Sequence, residues 1–155
     1  MVKTAAIIHY WGSKYEALGG CAARSFKKFN PEVDLYHVDS TNTHNFECWD
    51  EEGVVKAAKR LWLARELMEK RGYEKVIILG ADTITCSRLD EFLDINGVDI
   101  LATFDYSYPF LGKRFMTRPG QKHLNADVIC FTSVKALGKV IETAKHYTEE
   151  EYGEQ

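Results

Sequence analysis

The sequence contains no hydrophobic run that approaches the roughly 18 to 20 residues of a membrane-spanning helix. The run that follows Met1-Val2-Lys3-Thr4 is also too short for a signal peptide. Neither sign of charge dominates, since 20 Lys and Arg residues face 23 Asp and Glu residues and give a formal net charge of -3. A surface built mainly to bind nucleic-acid phosphates or anionic lipid needs an excess of positive charge. We therefore expect a cytoplasmic protein with no transmembrane segment and no nucleic-acid partner.

Paired metal and redox motifs are missing as well. The four cysteines are scattered without a C-x-x-C pair, and no two histidines lie four residues apart around a glutamate. Zinc binding and thiol redox chemistry therefore have no support in the sequence. Cys86 and Cys130 lie at or near the ends of hydrophobic runs, where a free cysteine usually acts as a small hydrophobic residue.

Two common phosphate-binding loops are also absent. No G-x-x-x-x-G-K-[ST] occurs, which argues against a P-loop ATPase or kinase. No G-x-G-x-x-G follows the first predicted strand, which argues against a dinucleotide oxidoreductase. Tyr10-Trp11-Gly12-Ser13 stands there instead. Aromatic rings beside a glycine turn suit stacking on a flat base, and packing of both rings over the sheet edge explains them equally well.

The chain does contain a regular alternation of hydrophobic strands and amphipathic helices. Its 155 residues, 45% of them hydrophobic, are enough for one substantial core, so we expect a single domain over residues 1–155. Such alternation predicts an α/β fold with a mostly parallel sheet flanked by helices. The predicted strands are 4–10, 33–38, 75–79, 98–104 and 125–131, and the predicted helices are 13–30, 54–71, 87–96 and 133–147, with an irregular loop at 105–123.

In open sheets of this type, ligands bind beyond the carboxyl ends of the strands. That rule selects 9–12, 39–40, 80–83 and 105–106. Asp82 is the most informative of these residues, because two small residues separate it from a hydrophobic strand and leave open space before its carboxylate. A carboxylate there can hold Mg²⁺ or Mn²⁺ against two phosphates. An aspartate that forms a turn or caps a helix is an equally good interpretation.

Length arithmetic places a lysine beside this carboxylate. From Lys56 to Gly72 a helix rises ~24 Å at ~1.5 Å per residue, and from Lys75 to Asp82 a strand spans ~23 Å at ~3.3 Å per residue. If the two run antiparallel, Lys56 lies level with Asp82 and Lys59 lies about one turn further in. Either cation could then reach a diphosphate held at Asp82, although a solvated helix face also explains both lysines.

The segment Val76-Ile77-Ile78-Leu79-Gly80-Ala81-Asp82-Thr83-Ile84 resembles the strand and D-x-D motif of GT-A-fold glycosyltransferases. The resemblance is strongest to the glycogenin-like group, which usually reads Asp-Ala-Asp-Thr. Weaker matches follow in the same order over nearly the whole chain. The first strand and residues 25–39 are similar to the nucleotide-binding half, and Lys56 or Lys59 is similar to the lysine before the metal strand. Residues 124–131 are similar to the Asn-Ala-Gly strand, and residues 152–155 are similar to the Asp-Gln segment that closes the site.

The resemblance implies a Rossmann-like nucleotide-diphospho-sugar transferase fold, and a hexosyltransferase-like enzyme that moves a sugar from a UDP-sugar to an acceptor hydroxyl. It implies Mn²⁺ or Mg²⁺ as cofactor, with Asp82 as the metal ligand, and a carbohydrate or protein-glycan acceptor. The implied donor-binding residues are His9, Tyr10, Trp11, Gly12, Asp39, Lys56, Lys59, Ala81, Asp82, Asn125 and Gln155.

Three features depart from the family pattern. Gly80 replaces the first Asp of the D-x-D motif, and Asp127 replaces the Gly of Asn-Ala-Gly. The sequence given also ends at Gln155, where relatives continue into a segment that commonly provides a further metal-binding His. We therefore expect a minimal enzyme or the N-terminal domain of a longer polypeptide.

An inverting reaction also needs a carboxylate to accept the proton of the acceptor hydroxyl. The candidates are Asp127, Asp105 and Glu154, and Asp127 is the first choice because it lies near the start of a rigid strand. The loop 105–123, rich in aromatic and basic residues, is expected to face the acceptor. Two alternatives to the enzyme are a nucleotide-sugar-binding module without turnover and an unrelated α/β nucleotide-binding regulator.

Overall fold

The computed structural model describes residues 2–50, 58–104 and 124–145. Short 3₁₀ turns lie at Ser13–Tyr15, Thr43–Asn45 and Glu47–Asp50. Within the described ranges, no helix is both long enough and hydrophobic enough to cross a bilayer. In chain order, the main elements are β1 (Thr4–His9), α1 (Glu16–Phe29), β2 (Asp34–Val38), α2 (Lys59–Arg71), β3 (Lys75–Leu79), α3 (Asp90–Leu93), β4 (Ile100–Phe104), β5 (Leu124–Phe131) and α4 (Val134–Ala144).

The strands form a five-stranded sheet in the order β2-β1-β3-β5-β4. Strand β1 pairs in parallel with β2 and β3, whereas β5 pairs antiparallel with both β3 and β4. Four strands therefore share one direction and β5 runs against them, which confirms the predicted, mostly parallel α/β architecture. The reversal brings the start of β5 to the edge where β1, β2 and β3 end.

Hydrophobic residues cover both faces of the sheet. Along β1, Ala5 and Ile7 face the core under α2 and α4, while Ala6 and Ile8 face the core under α1. A strand buried on both faces is hydrophobic at every position, which explains the unbroken runs in β1 and β3. The first core is filled mainly by Trp62, Leu63, Leu67, Phe131, Leu137 and Ile141, and the second by Ala22, Phe26, Ile77, Leu79, Phe92 and Cys130.

Two helix ends follow their sequence signals. Gly72 adopts a left-handed conformation with φ of 70° and ends α2, because glycine tolerates positive φ without a steric penalty. Ser133 precedes α4, and its hydroxyl accepts a hydrogen bond from the backbone N–H of Ala136. Both ends lie at the positions expected from the sequence.

The predicted helix over 87–96 is much shorter in the structure, because only Asp90–Leu93 is helical. The buried ammonium of Lys75 donates hydrogen bonds to the backbone carbonyls of Leu93 and Ile95. A lysine side chain thus binds carbonyl groups that a further helical turn would otherwise engage.

The two cysteines singled out in the sequence have different environments. Cys130 is fully buried in the core under α1, where desolvation raises the pKa of its thiol to about 11. Cys86 is exposed, so the prediction of a hydrophobic packing role is wrong for this residue. It lies in the extended segment between β3 and α3, which does not belong to a strand or a helix face.

Candidate functional site

A row of backbone contacts crosses the edge of the sheet at the carboxyl ends of the parallel strands. The N–H of Tyr10, just after β1, donates to the carbonyl of Val38 at the end of β2 at 3.2 Å. The N–H of Gly80, just after β3, donates to the carbonyl of Asp127 in β5 at 2.7 Å. The edge therefore unites the ends of β1, β2 and β3 with the beginning of β5, and it fixes where their side chains project.

A cavity of about 150 Å³ opens at this edge. It brings together predicted site residues from three separate strands and adds two residues that the sequence did not indicate, Tyr15 and Arg60. Gly12 and Asp39 are not among its lining residues. The lining consists of His9, Tyr10, Trp11, Tyr15, Arg60, Gly80, Ala81, Asp82 and Asp127.

Asp82 occupies a tight turn directly after β3. The N–H of Thr83 donates to the carbonyl of Gly80 at 3.1 Å, and this hydrogen bond closes the turn that carries Asp82. The Asp82 side chain is exposed and lines the cavity. Both sequence interpretations of Asp82 are therefore compatible with the structure, because a turn residue also delivers its carboxylate to the cavity.

Gly80 lies at the most crowded point of the site. A β-carbon at residue 80 would lie 3.0 Å from Oδ1 of Asp82 and 3.1 Å from Cβ of Asp127. Those two atoms of Asp82 and Asp127 therefore lie no further apart than the sum of these distances, about 6 Å. The absence of a side chain at Gly80 leaves room for the Asp82 carboxylate and for the β-carbon of Asp127.

Asp127 forms an ion pair with Arg60 from the first turn of α2. Oδ1 of Asp127 lies 3.6 Å from Nη1 of Arg60, and the two side chains are 54% and 25% exposed. Pairs with this much exposure stabilise a fold by only ~0–1 kcal/mol, so Arg60 can exchange its partner for a bound anion at small cost. Arg60 is the principal residue that the sequence reasoning missed.

The predicted lysine contact is modified by the structure. Lys56 lies outside the described residues, and Lys59 is buried at the beginning of α2 rather than among the cavity-lining residues. The 1.5 Å rise per residue gives the height of a residue on a helix, and its direction around the axis changes by about 100° at each step. The length calculation therefore gave the correct turn of α2, and in that turn it is Arg60, next to Lys59, that lines the cavity.

His9 is a neutral side chain at neutral pH. Burial, together with the positive charges of Arg60 and Lys59, lowers its pKa to about 4. The imidazole lies beside Trp11, with ring centroids 5.6 Å apart. His9 therefore lines the cavity as an uncharged ring, with both of its nitrogens buried.

The two aromatic residues after β1 have different roles. Tyr10 is buried, and its ring packs against Gly19 of α1 and beside His37, with a centroid distance of 5.2 Å. Trp11 lines the cavity and is 40% exposed. Sequence reasoning left stacking and packing open for both rings, whereas the structure packs Tyr10 in the fold and leaves Trp11 accessible to a ligand.

Asp39 is coupled to the cavity through Tyr10. Its Oδ1 accepts hydrogen bonds from the backbone N–H and the hydroxyl of Thr41 at 2.7 and 2.6 Å, and its Oδ2 lies 3.4 Å from the Tyr10 hydroxyl. The hydrogen bonds from Thr41, led by that of its side chain, lower the pKa of Asp39. The carboxylate therefore remains ionised and oriented beside the aromatic wall of the cavity, the name used below for the side formed by Tyr10 and Trp11.

Several predicted site residues cannot be compared with the cavity. Asp105, Glu154 and Gln155, together with the loop 105–123, lie outside the described residues. Asn125 is placed in β5 by the backbone, two residues before Asp127.

The carboxylates of Asp82 and Asp127, which both line the cavity, are ligands of the type that Mg²⁺ or Mn²⁺ binds. Such ions prefer carboxylate oxygens and usually keep several ligands from water and substrate phosphates, so two protein carboxylates are enough. Among the described residues, no three His, Cys, Asp or Glu side chains converge to form a complete protein cage. A cation at Asp82 would therefore depend on a bound diphosphate for part of its coordination.

Comparisons with known proteins identify the fold through structure rather than sequence. No family model matches the sequence, and no curated protein matches it. The structure is similar to a glycosyltransferase involved in glycosylation of the major capsid of PBCV-1, with a TM-score of 0.58 and 14% identity over 96% of this chain and 69% of that one. It is also similar to the galactosyltransferase LgtC, solved with donor and acceptor sugar analogues, with a TM-score of 0.52 and 14% identity over 96% and 68% of the two chains. The chain therefore has the fold of these glycosyltransferases, as the sequence resemblance predicted.

Proposed function

We propose that this domain is a glycosyltransferase that moves a sugar from a nucleoside diphosphate sugar, of the UDP-sugar class, to an acceptor hydroxyl. The observation that carries the proposal is the convergence of Asp82, Asp127 and Arg60 in one cavity at the carboxyl edge of the sheet. This edge is where ligands bind in open α/β sheets. The similarity in fold to two solved glycosyltransferases supports sugar transfer as the class of reaction.

The nucleoside would bind against the aromatic side of the cavity. The exposed part of Trp11 offers a flat surface on which a base can stack. The neutral imidazole of His9 packs beside Trp11 without adding charge, and Asp39 supports Tyr10 through the tyrosine hydroxyl. This arrangement assigns base and ribose recognition to the end of β1.

The diphosphate would bind between Arg60 and Asp82. The Arg60 guanidinium can bind phosphate oxygens in a bidentate manner, and Lys59 on the same turn contributes positive potential. A divalent cation held by Asp82, Mn²⁺ or Mg²⁺, would act as a Lewis acid that offsets the charge of the leaving diphosphate. Arg60 would offset the same negative charge from the first turn of α2.

The acceptor would approach from the side of β5. Asn125 and Asp127 lie at the start of this strand, and the loop 105–123 connects β4 to it in the sequence. In an inverting reaction, Asp127, Asp105 or Glu154 would accept the acceptor proton while the hydroxyl oxygen attacks the anomeric carbon. A retaining reaction would not need a base at this position, so the proposal covers both stereochemical outcomes.

The decisive experiment is transfer of labelled sugar from a set of UDP-sugars in the presence of Mn²⁺, with a panel of carbohydrate acceptors. We expect product from the native chain and almost none from Asp82→Ala, with an unchanged far-UV spectrum for the variant. The matched control is Asp99→Ala, which removes an exposed aspartate just before β4.

Two other results would replace the proposal. UDP-sugar binding without product for any acceptor would indicate a binding module, an outcome that the Gly80 departure favours. A melting temperature unchanged by UDP, GDP or their sugars would indicate a different ligand class, because a ligand that binds only the native state must raise its stability.

A further inference from the structure

Resting on the proposed function, we propose that Asp127 of β5 supplies the second carboxylate of a divalent-cation site, in place of a carboxylate at residue 80. The cation would be shared by Asp82, Asp127 and the diphosphate of the donor. The site would thus be assembled across two strands instead of within one turn.

The first argument is steric. A β-carbon at residue 80 would lie 3.1 Å from Cβ of Asp127, a separation tighter than nearly all real contacts between such atoms. Side chains at 80 and 127 therefore compete for the same volume. The chain has glycine at 80 and aspartate at 127, whereas the motifs it resembles have aspartate at the first position and glycine at the second. In this chain the space beside Asp82 is therefore bordered by a carboxylate residue on the neighbouring strand instead of one at position 80.

The second argument is the rigidity of the pairing. The 2.7 Å hydrogen bond from the N–H of Gly80 to the carbonyl of Asp127 continues the ladder in which Leu79 pairs with Val128. The turn that carries Asp82 begins at the same glycine, with the carbonyl of Gly80 accepting from Thr83. The backbone that carries Asp82 and the backbone that carries Asp127 are therefore both fixed relative to Gly80, so the two side chains start from a defined separation.

The third argument is electrostatic. The guanidinium of Arg60 lies 3.6 Å from Oδ1 of Asp127, so a cation already occupies this side of the cavity. A divalent ion that binds together with the diphosphate would bring two positive charges to Asp127, in place of the single charge of Arg60. It would also release Arg60 toward the phosphate oxygens that enter with the donor. Metal binding by the two carboxylates is consequently expected to be weak alone and strong in the presence of UDP.

The test measures Mn²⁺ binding directly, by the loss of the free-ion electron paramagnetic resonance signal during titration of the full chain with and without UDP. We expect Asp127→Asn and Asp82→Asn each to weaken Mn²⁺ binding in the presence of UDP by roughly tenfold or more, since each removes a charged ligand. Asp99→Asn should leave it unchanged, because this exposed carboxylate precedes β4, at the opposite edge of the sheet.

The relocation itself is tested by moving the carboxylate back. Asp127→Gly should lose Mn²⁺ binding, and the double variant Gly80→Asp with Asp127→Gly should recover most of it. Gly80→Asp alone should melt at a lower temperature, because its new side chain meets Asp127. Recovery in the double variant with matching melting temperatures would support the cross-strand site and could not come from a merely structural role.

Mn²⁺ affinity unchanged by Asp127→Asn in a chain that still binds UDP would overturn this inference, even if the variant lost transfer activity. That combination would identify Asp127 as a proton acceptor and leave the proposed function intact. A chain that binds UDP neither with Mn²⁺ nor with a chelator would instead overturn the proposed function. The titration in chelator separates the two failures.

Discussion

Gly19 of α1 lies so close to Tyr10 that a β-carbon built on it would stand 2.4 Å from Cε1 of the tyrosine ring. The ring is packed between this helix and His37, and Tyr10 is also one of the residues that line the cavity. The packing of α1 on the sheet and the position of the aromatic wall therefore depend on the same glycine.

Gly19→Ala is expected to lower the free energy of unfolding by about 1–3 kcal/mol, the usual effect of overpacking a well-filled site. Urea denaturation measures this change. The matched control is Gly20→Ala in the same helix, where the nearest atom to a new β-carbon is the end of the Arg24 side chain at 3.4 Å. That variant should be neutral or stabilised by about 0.5–1 kcal/mol, because alanine favours helix over glycine. Equal effects of the two substitutions would contradict the close contact.

Trp11→Ala should weaken UDP binding by about 1–3 kcal/mol, the range for stacking of a base on an aromatic ring. UDP should also quench the fluorescence of native Trp11, whereas Trp62 is fully buried in the core and should not respond. Val134→Ala serves as the control, because it shortens an exposed hydrophobic side chain on α4 that is not among the cavity-lining residues. A UDP affinity that is insensitive to Trp11→Ala would exclude the aromatic wall as the nucleoside site.

Arg60→Gln should reduce UDP affinity measured by calorimetry by about 1.5–3 kcal/mol, which is the range for a hydrogen bond to a charged group. Arg60→Lys should restore only part of it, because an ammonium cannot bind phosphate as a planar fork. Lys70→Gln is the control on the last turn of α2, where the lysine pairs with Glu47. If the Arg60 and Lys70 variants bind UDP equally well, the guanidinium does not contact the donor.

The stability of the fold should fall between pH 6.5 and pH 4 through His9. The unfolded chain binds a proton near pH 6.5, whereas the buried imidazole resists protonation until about pH 4. As the pH falls, the unfolded state therefore gains a proton before the folded state does. The free energy of unfolding decreases by up to about 3 kcal/mol across this window, at roughly 1.4 kcal/mol per pH unit. Above pH 6.5 the contribution is complete.

Urea denaturation of the native chain and of His9→Gln at pH 7.5 and pH 5.0 measures this effect. We expect the native chain to lose about 2 kcal/mol more than the variant between these two pH values. All other titrating groups are common to both proteins and cancel in the comparison. Parallel pH profiles would show that His9 is not the group responsible.

Much of the fold could be predicted from local signals. The run Lys75–Leu79 is a strand with the predicted bounds, and Gly72 ends α2 as its position indicates. The direction of β5 could not be predicted in this way, because a strand pattern has the same period in either direction. The rule that ligands bind at carboxyl ends did not select Asp127, which lies at the beginning of its strand. Its placement in the site came from the family resemblance instead.

The site was less predictable than the fold because side-chain direction depends on tertiary packing. Tyr10 and Trp11 are adjacent aromatic residues, yet one is packed against α1 and the other is exposed to the cavity. Lys59 and Arg60 are adjacent cations, yet only the second lines the cavity. For Tyr10 the sequence does contain a sign of its packing, because Gly19 lies in a helix and its missing side chain makes room for the tyrosine ring.

Among the strands that the structure describes, β5 comes last in the sequence and yet lies between β3 and β4 in the sheet. During synthesis β4 therefore emerges before β5, the strand with which it pairs. Sheets joined by such distant pairings form slowly compared with proteins stabilised by local contacts. The nascent chain should therefore present an open sheet edge until residue 131 has left the exit tunnel, and this interval is when a chaperone would have the most to protect.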